Sequence, residues 1–109
     1  MQKHCLALDL KDDAALIAEY ERYHQKVPDA ITQSIHEAGI TNLEIYRTGN
    51  RLFMILEATD AFSFAEKSKM DAANPEVQAW ETLMWRFQQA LPNANDGEKW
   101  RSMDKIFAL

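Results

Sequence analysis

Hydrophobic and polar residues alternate along the first ten positions, and the pattern then changes to a helical period. One face of the first run carries His4, Leu6, Leu8 and Leu10 and the other carries Cys5, Ala7 and Asp9. This alternation predicts a β-strand over residues 4–10. From Asp12 onward, apolar residues recur every three or four positions, as an amphipathic helix requires: Leu16, Tyr20, Tyr23 or His24, Val27, Ile31, Ile35 and Ala38. Pro28 predicts a kink or restart in this helical region, and Gly39 predicts its end.

Two runs of β-branched and apolar residues follow, at 40–48 and 51–58, and Gly49-Asn50 between them suits the tight turn of a β-hairpin. A short helix is predicted to begin at Asp60. Asn74-Pro75 ends it and supplies the N-cap and first-turn proline of the next helix. That helix carries apolar residues at steps of three and four: Val77, Trp80, Met84, Phe87 and Leu91. Residues 103–109 are predicted to form a last strand.

The predicted order β-α-β-β-α-β, with the second helical region in two parts, indicates a single domain over residues 1–109. It favours the α+β class and a ferredoxin-like antiparallel sheet with helices on one face. The strand after the hairpin turn is apolar on both faces, because Phe53 and Ile55 lie opposite Leu52 and Met54. An antiparallel sheet with water on its second face alternates more cleanly. We therefore expect a second copy of the chain to cover that face, in a homodimer.

The charge and composition exclude several classes of partner. Acidic residues number 17 and basic residues 12, a net charge of -5 without Lys/Arg runs, which argues against nucleic acid. No apolar stretch approaches the roughly 20 residues that cross a bilayer, and Asp9 interrupts the N-terminal apolar segment too early for a signal peptide. A cytoplasmic location is expected. Cys5, the single cysteine, is expected to be a small core hydrophobe.

His24 is the most promising residue for chemistry. The chain has no Gly-rich phosphate loop, and its three histidines are too dispersed for a metal site, so neither a metal nor a cofactor is expected. His24 lies four residues after Tyr20, on the same side of the first helix at the border of its buried face. An imidazole there can act as acid or base near neutral pH. Taken alone, this pattern favours an ordinary helix-border histidine with a local hydrogen bond.

Other polar and aromatic residues allow several interpretations. Glu44 and Glu57 lie inside predicted strands, where a charge needs a partner, a wet cavity or solvent. Trp80 lies on the apolar stripe of its helix, whereas Trp85 and Trp100 fall outside that stripe. A Trp ring beside polar groups often stacks on the apolar face of a sugar, but packing in the core or against a partner is equally compatible with these positions.

Five short motifs together resemble the L-rhamnose mutarotase family. They follow one another at compatible spacing over nearly the whole chain: Glu19-Tyr20-x-x-x-His24, Asn42-x-x-Ile45-Tyr46, Leu52-Phe53, Asn74-Pro75-x-x-Gln78-x-Trp80 and Ile106-Phe107-x-Leu109. The resemblance implies a ferredoxin-like fold that dimerises through its sheets as a dimeric α/β barrel. It also implies an enzyme that interconverts the α and β anomers of 6-deoxy sugars without a cofactor.

The same resemblance implies roles for individual residues. His24 would be the proton donor, Tyr20 would contact the sugar, and Trp80 would be the first of a Trp-Trp pair found in rhamnose-acting members. Here Glu81 takes the second place of that pair, and Leu43 replaces a substrate-contacting tyrosine on the second strand. These departures leave the catalytic helix intact and concern the choice between L-rhamnose, L-fucose and a close relative.

Mutarotation requires one acid and one base, because the ring oxygen gains a proton while the anomeric hydroxyl loses one. The sequence leaves the partner of His24 open between Glu81, Glu57 and a water. Two other functions are compatible with this fold. One is a cofactor-independent monooxygenase or haem-degrading enzyme, whose aromatic residues would enclose a hydrophobic ligand, and the other is a non-catalytic sugar-binding module.

Overall fold

A computed structural model covers residues 1–109 and shows one antiparallel sheet with four helices. The elements are β1 (Gln2–Leu10), α1 (Ala14–His24), α2 (Asp29–Glu37), β2 (Ile40–Thr48), β3 (Arg51–Ala58), α3 (Phe64–Ala72), α4 (Pro75–Trp85), β4 (Gln88–Gln89) and β5 (Arg101–Ser102). The strand order is β2-β3-β1-β4, with β5 also paired to β1. This arrangement confirms the predicted α+β class and ferredoxin-like fold.

Three helix boundaries lie where the sequence predicts them. Pro28 lies at the N-cap of α2, so the long helical region restarts there. Asn74 Oδ1 accepts hydrogen bonds from the backbone N–H groups of Glu76 and Val77, at 3.1 and 3.4 Å, at the start of α4. Gly39 follows α2 with φ of 97°, a left-handed conformation that a glycine adopts without the strain of a side chain.

The core lies between the helices and one face of the sheet, which we call the helix face. Alternate strand residues reach it, and Leu8, Leu10, Leu52, Leu56 and Ala58 are almost completely buried there. The other face, which we call the open face, carries Phe53 and Ile55 on β3 and Tyr46 on β2. No element of the chain covers it.

A β-bulge near the start of β2 decides which residues of that strand face the helices. Ile40 pairs with Ala58 and Asn42 pairs with Glu57, so Thr41 is an extra residue between two paired positions. The inserted residue shifts the alternation, and Leu43 is therefore placed opposite Leu56 on the helix face.

Four sequence-based expectations are wrong. The short helix predicted to begin at Asp60 begins at Phe64, because Ser63 caps it there by accepting the Glu66 N–H at 3.1 Å. The last helix ends at Trp85 rather than Leu91, because the chain turns there to pair with the edge of β1, where the Lys11 N–H donates to the Phe87 carbonyl at 2.8 Å. The last strand comprises only Arg101–Ser102 instead of residues 103–109. Beyond the Met103 N–H, which donates to the Cys5 carbonyl at 2.8 Å, the remaining chain makes no sheet pairing.

The fourth correction concerns Cys5, which is half-buried on the open face and not in the core. It pairs across the sheet with Ile55. The alternation of β1 places Leu6 on the helix face, so its neighbour Cys5 must face the other way.

Candidate functional site

His24 is the last residue of α1, and its ring orientation is set by Tyr20 one turn earlier. The Nδ1 atom of His24 lies 2.9 Å from the backbone carbonyl oxygen of Tyr20. A carbonyl oxygen can only accept, so Nδ1 must carry the proton of this hydrogen bond. The neutral imidazole therefore has its lone pair on Nε2, which has no protein partner. The ordinary local hydrogen bond is present, and it leaves His24 with a nitrogen that can take up and return a proton.

Aromatic rings surround His24 and connect α1 with α4. The His24 ring lies 4.4 Å from the Tyr20 ring and 5.7 Å from the Trp80 ring, measured between centroids. Trp80 meets His24 with its ring inclined at 65° and meets Tyr23 at 86°, both edge-to-face contacts. Two helices that are distant in the sequence thus place the predicted acid beside the predicted sugar platform.

A cavity of about 310 Å³ lies between the helices and the sheet, and we call it the helix-side cavity. Leu43, Met54 and Leu56 line it from the sheet, and Trp80 and Glu81 line it from α4. Its volume is at the lower end of the range for small-molecule sites. The cavity therefore brings together three of the five sequence-predicted site residues.

His24 lines a neighbouring groove of about 490 Å³ at the edge of β2, together with His36 and Asn42. Leu43 also lines this groove, so it is part of the wall between the two spaces. Tyr20 lines neither space and is buried, with only 4% of its surface exposed. The structure thus places His24 against both Tyr20 and Trp80, and it leaves His24 and Tyr20 outside the lining of the helix-side cavity.

Gln88 links Tyr20 to the helix-side cavity. Its side-chain amide donates to the Tyr20 hydroxyl at 3.4 Å, and Gln88 itself lines the cavity. Burial raises the pKa of the Tyr20 phenol above its ordinary value of 10.0, and the hydrogen bond from Gln88 offsets part of that rise. Tyr20 is therefore a neutral phenol near pH 7 and is not the base of a proton transfer.

The raised pKa of Tyr20 predicts a loss of stability in alkaline solution. The unfolded chain releases the phenol proton near pH 10, whereas the folded chain holds it to higher pH. Over that window the folded state binds more protons, so the free energy of unfolding falls as the pH rises. Urea titrations of wild type and Tyr20→Phe on both sides of pH 10 measure this difference. An equal alkaline loss in the two proteins would show that Tyr20 does not contribute.

Charged residues that the sequence patterns did not single out also line the helix-side cavity. Lys99 approaches Glu81, with Nζ 4.0 Å from Oε2, and its ammonium group lies 5.2 Å from the centre of the Trp85 ring. Trp100 packs against both core clusters and also lines the cavity, so this tryptophan, whose role the sequence left open, belongs to the core. The sequence gives no local signal for these contacts, since residues 99 and 100 come from the loop before β5.

Glu57 lines neither the helix-side cavity nor the groove that contains His24. It lies on the open face, where its Oε1 accepts a hydrogen bond from Asn42 Nδ2 at 3.0 Å. Glu44 lies on the same face and accepts from the same amide at 3.2 Å. Of the two carboxylates considered as partners for His24, only Glu81 lines the helix-side cavity.

The structure has no group of three or more His, Cys, Asp and Glu side chains arranged to hold a metal ion. None of its helices combines the length and the apolar character that crossing a membrane requires.

Comparison with known proteins identifies the family. The family model for L-rhamnose mutarotase matches residues 3–109. The chain belongs to the L-rhamnose mutarotase family. An L-fucose mutarotase from Xanthomonas campestris pv. campestris is 51% identical over 100% of this chain and 89% of its own length. A UPF0734 protein from Dictyostelium discoideum is 33% identical over 99% of this chain and 90% of its own length. As a member of this family, the chain is a sugar mutarotase, an isomerase acting on carbohydrates.

Two solved structures share the fold of this chain. The crystal structure of an L-rhamnose mutarotase from Formosa agariphila superposes with a TM-score of 0.74 at 16% identity, covering 100% of this chain and 99% of that one. The tetracenomycin F2 cyclase of Streptomyces glaucescens, a polyketide cyclase, gives a TM-score of 0.65 at 16% identity. The match covers 100% of this chain and 97% of the cyclase. At such low identity these likenesses establish the fold alone, and the family match carries the reaction class.

Proposed function

We propose that the protein interconverts the α and β anomers of a 6-deoxy-L-sugar, with L-fucose the preferred substrate and L-rhamnose the next. The observation that carries this proposal is the position of His24, whose Nε2 has no protein partner and whose ring packs against Trp80, a residue that lines the helix-side cavity with Leu43 and Glu81. The preference for L-fucose rests on the 51% identical relative of that name. The departures at Leu43 and Glu81 from the rhamnose-type pattern support it.

In the proposed mechanism, His24 and Glu81 exchange two protons with the sugar. Protonated His24 donates from Nε2 to the ring oxygen while the Glu81 carboxylate takes the proton of the anomeric hydroxyl, and the bond between the anomeric carbon and the ring oxygen breaks. Rotation in the open-chain aldehyde exposes its other face. Reclosure returns both protons, so each group ends as it began.

Acid–base catalysis by two side chains is sufficient for a useful acceleration of this reaction. Mutarotation already proceeds in water, and a positioned acid or base accelerates a reaction by about 10²- to 10⁴-fold. Tyr20 acts as a positioning residue in this proposal, because its carbonyl holds Nδ1 of His24 and its hydroxyl meets Gln88. No further chemical group is needed for the reaction.

NMR exchange spectroscopy on the anomeric protons tests the proposal directly. We expect the wild-type protein to accelerate exchange of L-fucose and L-rhamnose, with smaller effects on D-galactose and D-glucose. Intrinsic tryptophan fluorescence would follow binding in the same samples. Saturable binding of a sugar without faster exchange would favour the sugar-binding module, and a stoichiometric Soret shift on adding haemin would favour the haem-degrading alternative. Either result would contradict the proposed reaction.

We also propose that the protein works in the cytoplasm as a single-domain chain and forms a homodimer through the open face. That face bears half-buried Phe53 and Ile55, and Tyr46 is 53% exposed. Met103 lies near Tyr46 and Phe53, and farther along the same tail Ile106 and Phe107 are exposed at 94% and 76%. Apolar surface of this extent is typical of an interface. A dimeric ferredoxin-like protein from an uncultured marine organism provides a precedent in the same fold. Its structure matches with a TM-score of 0.54 at 10% identity, and the match covers 98% of this chain and 90% of that one.

If the protein is a homodimer, a charge introduced at the interface should halve its molecular mass in solution. Ile55→Lys places a charge in the centre of the open face, where burial against a second copy would be costly. Sedimentation equilibrium at micromolar concentrations should show a dimer for the wild type and a monomer for Ile55→Lys, with circular dichroism unchanged. Gln33→Lys on the exposed side of α2 is the control and should remain dimeric. A monomeric wild type would exclude the interface.

A further inference from the structure

An ion pair on α3 lines the helix-side cavity although the family resemblance assigns it no role. Lys67 Nζ bonds Asp71 Oδ2, and the two side chains are only 24% and 13% exposed. Both residues line the cavity that Trp80 and Glu81 also line. The pair thus lies in the same space as the proposed substrate.

Local physical chemistry disfavours this pair. Asp71 is in the last turn of α3, where the helix dipole destabilises a carboxylate. The order Lys then Asp at a spacing of four is the weaker orientation of such pairs. Removing both charges from water adds a desolvation cost that their attraction does not always repay. Because the dipole, the orientation and the desolvation cost all disfavour the pair, its presence is better explained by a role in a binding site than by helix stability.

A neighbouring pair on the same helix provides the contrast. Glu66 and Lys69 are three residues apart, their charged atoms lie 3.4 Å apart, and their side chains are 68% and 76% exposed. The acidic member lies in the first turn and the basic member in the last, as the dipole favours. This pair has the features of a solvated helix surface, and Lys67–Asp71 has none of them.

We propose that Lys67 and Asp71 bind ring hydroxyls of the substrate and determine which hydroxyl configuration the cavity accepts. The inference rests on the proposed mutarotase function and adds a specificity element to it. A carboxylate accepts hydrogen bonds from hydroxyl groups, and an ammonium group donates to their oxygens, so the pair can hold adjacent hydroxyls at once.

The rest of the helix-side cavity is complementary to such a ligand. The sheet contributes Leu43, Met54 and Leu56, which suit the methyl group and C–H edges of a 6-deoxy sugar. Lys99 and Glu81 contribute a second pair of opposite charges to the lining. Charged pairs with an apolar floor are the features expected of a site for a polyhydroxylated molecule with one apolar edge.

Gln78 ties the ion pair to the helix that carries Trp80 and Glu81. Its side-chain amide donates to the backbone carbonyl of Asp71 at 2.8 Å, from the first half of α4. The end of α3 and the site-bearing helix are therefore fixed relative to one another. This connection provides the preorganisation that recognition of individual hydroxyls requires.

The experiment compares L-fucose and L-rhamnose, which differ in configuration at C2 and C4, in the anomeric-exchange assay. We expect the double variant Lys67→Met/Asp71→Asn to raise KM for L-fucose by about 10- to 100-fold, the effect of losing hydrogen bonds to charged groups, with a smaller change in kcat. The ratio of kcat/KM between the two sugars should also change. Lys69→Met, which removes the exposed pair, should leave both constants and the ratio unchanged.

A charge-swapped variant separates recognition from stability. Lys67→Asp/Asp71→Lys keeps an ion pair at the same spacing and exchanges the donor and acceptor positions. We expect it to unfold thermally near the wild-type temperature yet to retain the high KM. Recovery of the wild-type KM and sugar preference in this variant would show a purely structural pair and overturn the inference.

Failure of the proposed function gives a different result from failure of this inference. If the wild type accelerates no exchange, the mutarotase proposal for these sugars fails, and tryptophan fluorescence still reports whether the double variant binds L-fucose more weakly than Lys69→Met does. If exchange is normal and the double variant matches the wild type in KM and preference, the inference alone is wrong.

Discussion

Replacing His24 with alanine is expected to lower the enzyme-accelerated rate of anomeric exchange by about 10²- to 10⁴-fold, because the variant loses the group that donates to the ring oxygen. Sugar binding should change much less, since Trp80, Leu43 and Glu81 still line the helix-side cavity. NMR exchange spectroscopy with L-fucose gives the rate, and tryptophan fluorescence gives the affinity.

Two control variants separate proton transfer from packing. His24→Gln retains an amide that can donate to the Tyr20 carbonyl, but it has no titratable nitrogen, so it should be as inactive as His24→Ala. His4→Gln changes a histidine on β1 that packs against Phe64, 4.8 Å between ring centroids, and it should retain full activity. An active His24→Gln enzyme would exclude His24 as the acid.

Replacing Phe87 with alanine is expected to lower the free energy of unfolding by about 3–5 kcal/mol, the usual cost of a large cavity in a core. Phe87 is 1% exposed and belongs to the core cluster that contains Leu10, Leu52 and Met84. Its ring lies 6.2 Å from Tyr20 and 5.8 Å from Tyr23. Because domains of this kind have a total stability of about 5–15 kcal/mol, the loss would be a large fraction. Urea denaturation followed by circular dichroism measures it.

Phe87→Leu is the matched variant for this experiment. It fills more of the space than alanine does and should lose less stability. An alanine variant as stable as the wild type would mean that Phe87 is not in the core. Because Tyr20 packs on Phe87 and holds His24, we also expect Phe87→Ala to retain less catalytic activity than Phe87→Leu does.

Local patterns were sufficient for much of this fold. The alternation of residues 4–10, the restart at Pro28, the hairpin turn at 49–50 and the caps at Gly39 and Asn74 all appear in the structure. These features depend on neighbours a few residues apart, which the sequence displays directly. The same is true of Tyr20 and His24, whose spacing of four places them on one side of α1.

Features that depend on strand pairing could not be predicted in this way. The helical period continues past Trp85 to Leu91, but the chain leaves the helix because the free edge of β1 pairs with residues 88–89. The apolar tail at 103–109 has the composition of a strand and finds only a two-residue edge at 101–102. Composition does not reveal whether a partner edge is available.

The sequence by itself determined the fold class, the mutarotase family resemblance and the helix that presents His24, since each depends on short-range order along the chain. Only the tertiary structure decided the composition of the helix-side cavity. In the structure, Glu57 lies on the open face, and the bulge at Thr41 places Leu43 on the helix face. Lys67 and Asp71 of α3 line the same cavity as Lys99. The physical reason is that a cavity is formed by side chains from elements far apart in the sequence. Their meeting is set by register and packing, which no local pattern records.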